Sequence, residues 1–325
     1  MSKTIDQRSR IFAIYAENLD LLHKSGLLNG LKLEFDQTYI CPLCTRQFSS
    51  KDLDTALKNH LTLEDAPPKS LGGTANILTC KECNNIAGYK IDAHLQAGLR
   101  ALDARKFLPG SEAKVKFIRG EEIVQGSIKV EGDGTIKAIN SYKNNHAVKL
   151  DNYIKNISPK AGKNLLRIEF VKPNSNDRRL QVGLLKTAYL LAFEKFGYAF
   201  ILDSIYDPVR EQIENPDADI YPMQFWFTGP YTADQIGVHI VKNNGIECFM
   251  SFFSLNTSIT RIFSAILPLK KNPILQIVAG FHAYLALNTG EAEFLRLNNP
   301  AGYLSNLDAI KELYKITEEL RSRDQ

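Results

Sequence analysis

The stretch that decides how this chain is read runs Leu61-Thr62-Leu63-Glu64-Asp65-Ala66-Pro67-Pro68-Lys69-Ser70-Leu71-Gly72-Gly73. It resumes at Asn76-Ile77-Leu78-Thr79-Cys80-Lys81-Glu82-Cys83-Asn84-Asn85. It pairs two adjacent carboxylates with a Pro-Pro step, a Gly-Gly step and a C-x-x-C knuckle. A second knuckle, Cys41-x2-Cys44, lies upstream, with 35 residues between Cys44 and Cys80. Two C-x-x-C pairs so close together match a tetrahedral structural zinc site, each pair converging two thiolates on one ion from a tight turn. Pro42 stiffens the first turn. The alternatives are ordinary buried thiols or a redox pair. Cys248, beside Phe249 and Met250, reads as a small core residue.

Working outward, the 325 residues suggest about two domains. Five cysteines are too few for a disulfide scaffold. The apolar fraction of 44% and charged fraction of 23% are those of a globular protein and exclude a long disordered tail or a collagen-like repeat. The polar start, Met1 to Arg8, lacks the apolar core of a secretory signal, and no uncharged apolar run reaches the length of a membrane span. A cytoplasmic chain without membrane contact is expected, and a reducing compartment favours metal ligation by the cysteines.

Helix-like spacing covers residues 8–24, with Gly26 and Gly30 after it, and Asn85 to about Ala104. Alternation over 113–139 predicts short strands with a hairpin turn at Gly132-Asp133-Gly134, and Leu165–Val171 reads as another strand. Val182–Phe196 reads as a helix stopped by Gly197, and Leu307–Leu320 as a terminal helix capped by Asn306. Met223–Thr228, Gly237–Val241, Cys248–Leu255 and Ile274–Ala286 are expected to build a sheet.

The formal net charge of +4 hides an asymmetry: residues 111–186 hold 15 Lys and Arg against 8 Asp and Glu, and residues 187–325 hold 11 against 16. The basic segment, with Lys114, Lys116, Arg178 and Arg179, suits phosphate neutralisation on nucleic acid; its other reading is the solvated face of a small sheet. Lys69, between Pro-Pro and Gly-Gly, is a further candidate phosphate contact.

Residues 38–100 resemble the zinc-knuckle branch of the HNH endonucleases, the ββα-metal nucleases. The carriers are the acidic pair before a proline, the Gly-rich loop, Asn76, and C-x-x-C followed directly by Asn84. The resemblance implies an α+β fold: a small ββα-metal (HNH-like) zinc-knuckle domain followed by a mixed α/β body. The expected organisation is an N-terminal helical segment (1–35), an HNH-like nuclease domain (36–110), a basic β-rich segment (111–186) and a C-terminal α+β domain of unread role (187–325). A protein partner or homo-oligomer contact would use the last.

The resemblance further implies metal-dependent hydrolysis of DNA phosphodiester bonds. Glu64 and Asn84 stand where the family holds a catalytic Mg²⁺ or Mn²⁺, the four cysteines hold a structural zinc, and Asn76 orients the site. Oxygen ligands with retained waters suit Mg²⁺. The departure is Asp65, where the family has the histidine base. A carboxylate serves as a base when burial or neighbours raise its pKa. His60, four residues before Glu64, and His94 are candidate substitutes. The alternative expectation is a catalytically degenerate HNH scaffold that binds nucleic acid or protein.

Overall fold

A computed structural model describes residues 3–28, 30–155, 157, 166–241, 246–269, 274–287, 293–296 and 302–322. The chain begins with α1 (Lys3–Lys24), β1 (Tyr39–Ile40), β2 (Gln47–Phe48), β3 (Leu61–Ala66) and β4 (Thr74–Cys80). Helix α2 (Lys81–Ala87) follows directly, then a π turn (Gly88–Asp92) and α3 (Ala93–Arg105). Next come β5 (Glu112–Arg119), β6 (Glu122–Val130), β7 (Ile136–Asn140), α4 (Ala147–Lys155) and β8 (Arg167–Phe170). The remainder is α5 (Asp177–Phe196), α6 (Tyr198–Ile201), α7 (Asp207–Glu214), β9 (Trp226–Thr228), β10 (Gly237–Val241), β11 (Cys248–Asn256), β12 (Thr260–Pro268), α8 (Ile274–Leu287), β13 (Phe294–Arg296) and α9 (Leu307–Ser322). The fold is therefore mixed α and β.

Two compact units emerge. The first joins residues 1–95, 177–255 and 261–325; the second comprises 96–176 and 256–260. These units are drawn differently from the four segments expected along the sequence. The region 36–110 is divided between them, and so is 111–186, whose last residues open α5, a helix that packs with N-terminal elements of the first unit.

Helix α5 is the spine of the first unit. Val182, Leu184, Leu185, Ala188, Tyr189, Leu190 and Phe193 are all fully buried, so apolar side chains surround the helix instead of forming one stripe. Burying each large apolar side chain contributes roughly 1.5–3 kcal/mol. Gly197 ends the helix at φ +59°, a left-handed conformation that favours glycine, and a Cβ there would lie 2.2 Å from Asn18 Oδ1. Helix α1 buries Ile11, Tyr15, Leu19 and Leu22 on one face. Tyr15, Tyr39, Phe193 and Tyr198 meet ring to ring, with Tyr15 and Phe193 stacked at 4.6 Å. A five-stranded sheet, ordered β13-β10-β11-β12-β9, completes this unit, and Ser251 Oγ on β11 donates to Ala188 O on α5 at 3.2 Å.

The expected strand at Ile274–Ala286 is instead helix α8. Its buried residues, Ile277, Val278 and Phe281, recur at helical spacing, and most of the others are Leu and Ala, strong helix formers. The terminal helix matches its expectation: Asn306 Oδ1 accepts from Ala309 N at 3.0 Å, an N-cap.

The second unit is an antiparallel sheet ordered β7-β6-β5-β8, with helix α4 on one face. Strand alternation sends Val115, Phe117, Val124, Ile128 and Val130 into a core with Leu150 and Tyr153 from α4. The opposite face carries Lys114, Lys116, Lys129 and Lys137. Among the described residues, no helix is long and apolar enough to cross a membrane.

Candidate functional site

The first knuckle is a tight turn between β1 and β2. Thr45 N donates to Cys41 O at 2.9 Å and Cys41 N to Arg46 O at 2.9 Å. Three buried tyrosine hydroxyls brace its surroundings. Tyr189 donates to Pro42 O at 2.7 Å, Tyr198 to Ile40 O at 2.8 Å, and Tyr39 to Leu78 O on β4 at 2.7 Å. The second knuckle places Cys80 at the end of β4 and Cys83 in the first turn of α2.

The four sulfurs lie within 4.8 Å of one another. Cys44 Sγ and Cys80 Sγ are 3.8 Å apart. That is the edge of a tetrahedron with Zn–S bonds of about 2.3 Å, and far beyond a disulfide bond. Hydrogen bonds from Cys41, Cys80 and Cys83, helped by the Arg46 guanidinium, hold the Cys44 thiol well below its usual pKa; Cys80 is brought down to about 7, chiefly by Cys41. Arg46 Nε donates to Cys44 Sγ at 3.3 Å, and Arg46 also pairs with Glu82 at 2.6 Å. Four convergent sulfurs under a cationic donor fit a structural metal such as zinc.

An acidic cluster lies on the adjoining hairpin. Strands β3 and β4 pair antiparallel, with a register shift between Glu64 and Asp65. Such an irregularity re-aims a side chain, and Asp65 responds to the charges of both Glu64 and Lys186. Glu64 is 4% exposed, and both its oxygens are engaged: Oε1 by Lys186 Nζ at 2.7 Å and Oε2 by Thr79 Oγ1 at 3.0 Å. Lys186, on α5, also holds Asp92 Oδ2 at 2.7 Å. The other Asp92 oxygen is buried with no hydrogen-bond partner. Burial opposes the charge on Lys186, but Glu64 and Asp92 outweigh it and leave the amine above its usual pKa. Burial, then Glu64, raises the half-buried Asp65 carboxyl, while Lys69 and Lys186 pull the other way.

Asn84 follows the second knuckle and reaches back over the hairpin. Its amide nitrogen donates to Thr62 Oγ1 at 3.0 Å and Leu63 O at 2.9 Å, which turns its carbonyl oxygen away from the strand. Thr62 and Glu64 share a strand face by alternation. Among the described residues, the cysteines are the only three or more His, Cys, Asp and Glu residues with mutually close ligand atoms. Glu64, Asp65 and Asp92 are thus neighbours without forming a ready three-carboxylate cage.

No family model, curated protein or solved structure matches this chain.

His60 is buried beside the start of α2: its Nδ1 lies 2.8 Å from Leu57 O, and its carbonyl accepts from Lys81 N at 2.8 Å. His94 faces Arg179 at 3.3 Å, and burial, then Arg179, lowers its pKa. Asn76 donates to Glu194 Oε1 on α5 at 2.8 Å and to Thr74 Oγ1 at 2.9 Å. Lys69 is exposed in a single 3-10 turn (Lys69–Leu71).

Lys114 and Lys116 stand on the outward face of β5, where Lys116 pairs with Glu169 at 3.3 Å. Arg178 and Arg179 belong to α5 in the first unit and pair with Asp219 at 2.9 Å and Asp217 at 2.6 Å. Lys186 was given no role from the sequence, and Asp92, expected only to cap or pair locally, pairs instead with Lys186 94 residues away. The available signal was a lone lysine inside the apolar run of α5.

The loop from β3 to β4 folds tightly on itself. A Cβ on Gly73 would lie 1.5 Å from Pro67 O, a backbone atom that cannot swing aside. Gly73→Ala is expected to destabilise the protein by about 1–3 kcal/mol through this overlap. Thermal unfolding checks it, and an unchanged midpoint contradicts the close approach.

Proposed function

We propose that the chain is a metal-dependent HNH-type endonuclease that hydrolyses DNA phosphodiester bonds, with the four-cysteine centre as its scaffold. One observation carries this reading: a β-hairpin bearing Glu64 and Asp65 runs directly into a helix whose Asn84 hangs over the same hairpin, pinned there by the knuckle. The ββα order and the spacing of acid, amide and cysteines support an HNH-like unit.

In this reading Asp65 takes the proton from the attacking water, and its raised pKa suits that role. The new phosphorus–oxygen bond forms as the bond to the leaving alkoxide breaks. A divalent ion held through Glu64 and the Asn84 carbonyl would stabilise the charge on the phosphate. Lys69 contacts a phosphate near the loop. The outward face of β5 and β6 belongs to the second unit and by itself offers lysines for salt-sensitive binding of nucleic acid. Arg178 and Arg179, committed to Asp219 and Asp217, are given no DNA contact.

A second reading is favoured by Lys186. Its ammonium sits against Glu64 and Asp92, so a metal ion on Glu64 must compete with it. This supports a degenerate HNH scaffold that binds nucleic acid or a protein without cutting.

Plasmid cleavage across divalent metals separates the two. The nuclease reading expects nicking or cutting with Mg²⁺ or Mn²⁺, reduced at least about a hundredfold in Glu64→Ala and in Asn84→Ala, as for loss of a principal transition-state contact. The second reading expects salt-sensitive DNA binding without cleavage, and cleavage gained by Asp65→His. Wild-type cleavage that survives both alanine variants refutes the site.

A further inference from the structure

Away from the acidic cluster, the first unit holds two adjacent cavities that share Phe252. One, of about 380 Å³, is lined by Leu191, Glu194, Lys195, Ile236 and Val238, with Pro67 and Gly72 at its rim. Its size lies within the roughly 300–1,000 Å³ of small-ligand sites. The other, of about 130 Å³, is lined by Asp234, Gln235, His239, Phe294 and Arg296.

Three basic side chains line these cavities, Lys195 the larger and His239 and Arg296 the smaller. His239 on β10 and Arg296 on β13 are directly opposite in register, and the His239 ring, through Nε2, is held by Gln235 O at 2.9 Å. Lys195 Nζ donates to Val238 O, one residue from His239, at 3.0 Å. Burial, then Arg296, brings Lys195 down to about 8. His239 is lowered too, first by burial and then by Lys195 and Arg296. Clustering basic groups at a cavity is unfavourable in the empty protein and is offset when an anion binds.

The surroundings narrow the class of anion. Phe252 meets His239 at 5.6 Å and Phe294 at 5.4 Å, edge to face, and Ile236 and Leu191 extend an apolar wall. Glu194, fixed by Asn76, offers an acceptor for hydroxyl groups in the larger cavity. Asp234 at the far edge faces Arg296, which donates to its backbone carbonyl.

We infer that these cavities bind a nucleoside monophosphate group, free or at the end of a strand. Its phosphate lies among Lys195, His239 and Arg296, its ribose at Glu194, and its ring along Leu191 and Ile236. This site shares the β3–β4 loop at its rim but uses none of Glu64, Asp65 and Asn84, and it stands whether or not those residues cut DNA.

Isothermal titration of the full chain, without added divalent metal, tests it. The probes are AMP, adenosine, inorganic phosphate, and a trinucleotide with and without a 5′-phosphate. AMP is expected to bind at least about tenfold tighter than adenosine, and Arg296→Gln and Lys195→Met are each expected to weaken it about tenfold. Arg296 is exposed, so its variant leaves the core intact. Binding of the 5′-phosphorylated trinucleotide in place of AMP, with the same sensitivity to both variants, assigns the strand end as the source. The inference is overturned if neither AMP nor the phosphorylated trinucleotide saturates the wild type into the millimolar range. It is equally overturned if binding is undiminished in both variants.

Discussion

Stripping the metal from the native protein, or replacing Cys80 with serine, is expected to lower the thermal midpoint by about 10 °C or more. The four sulfurs come from two turns that sequence separates, and they lie at the spacing a tetrahedral ion would tie together. Structural zinc binds cysteine sites with apparent free energies of about 10–16 kcal/mol, comparable to the whole stability of a typical domain. Part of that loss is recovered here, because Tyr39, Tyr189 and Tyr198 still brace the turn. Losing about 5 kcal/mol already moves the midpoint by 10–20 °C in a domain of this size. Metal analysis of the native chain should return about one zinc. A metal-free protein with an unchanged midpoint after exhaustive chelation contradicts the four-cysteine centre.

Lys186→Met is expected to destabilise the protein by about 3–5 kcal/mol, the cost of breaking a buried ion pair by removing one partner. The side chain is 1% exposed, and methionine nearly preserves its volume. What methionine lacks is the charge that compensates Glu64 and Asp92. Adding Glu64→Gln and Asp92→Asn removes the stranded carboxylates and should recover most of the lost stability. Chemical denaturation of the single and triple variants reads both effects. A neutral Lys186→Met, or a triple variant no better than the single one, shows that the carboxylates do not depend on this ammonium.

The four-cysteine cluster was legible because its signal is local. Two C-x-x-C turns announce themselves by spacing, and Asn84 announces itself by following Cys83 directly. The helices α5 and α9 were legible for the same reason, through Gly197 and Asn306 at their ends. Helix α8 was misread because a short apolar run rich in Ile, Val and Phe has no period that excludes a strand. Lys186 was out of reach for a different reason. In sequence it only interrupts an apolar stretch, and its partners Glu64 and Asp92 lie 122 and 94 residues away. Asn76 could be singled out by position, but nothing local says that it faces Glu194 on α5. Pairing across such distances is set by how the elements pack, which residue spacing does not record.

The same separation has a consequence during synthesis. The hairpin carrying Glu64 and Asp65 leaves the ribosome 122 residues ahead of Lys186. At about 5–20 residues per second, that is roughly 6–24 s in which Glu64 lacks the ammonium that holds it in the finished fold. The intervening chain is largely the second unit, residues 96–176, which carries its own core and can fold while the first unit waits. Helix α5 then closes the first unit from behind, bringing the ammonium to Glu64 and the hydroxyl of Tyr189 to the knuckle in one step. The nascent hairpin is therefore held unfinished until the chain has committed to its later half.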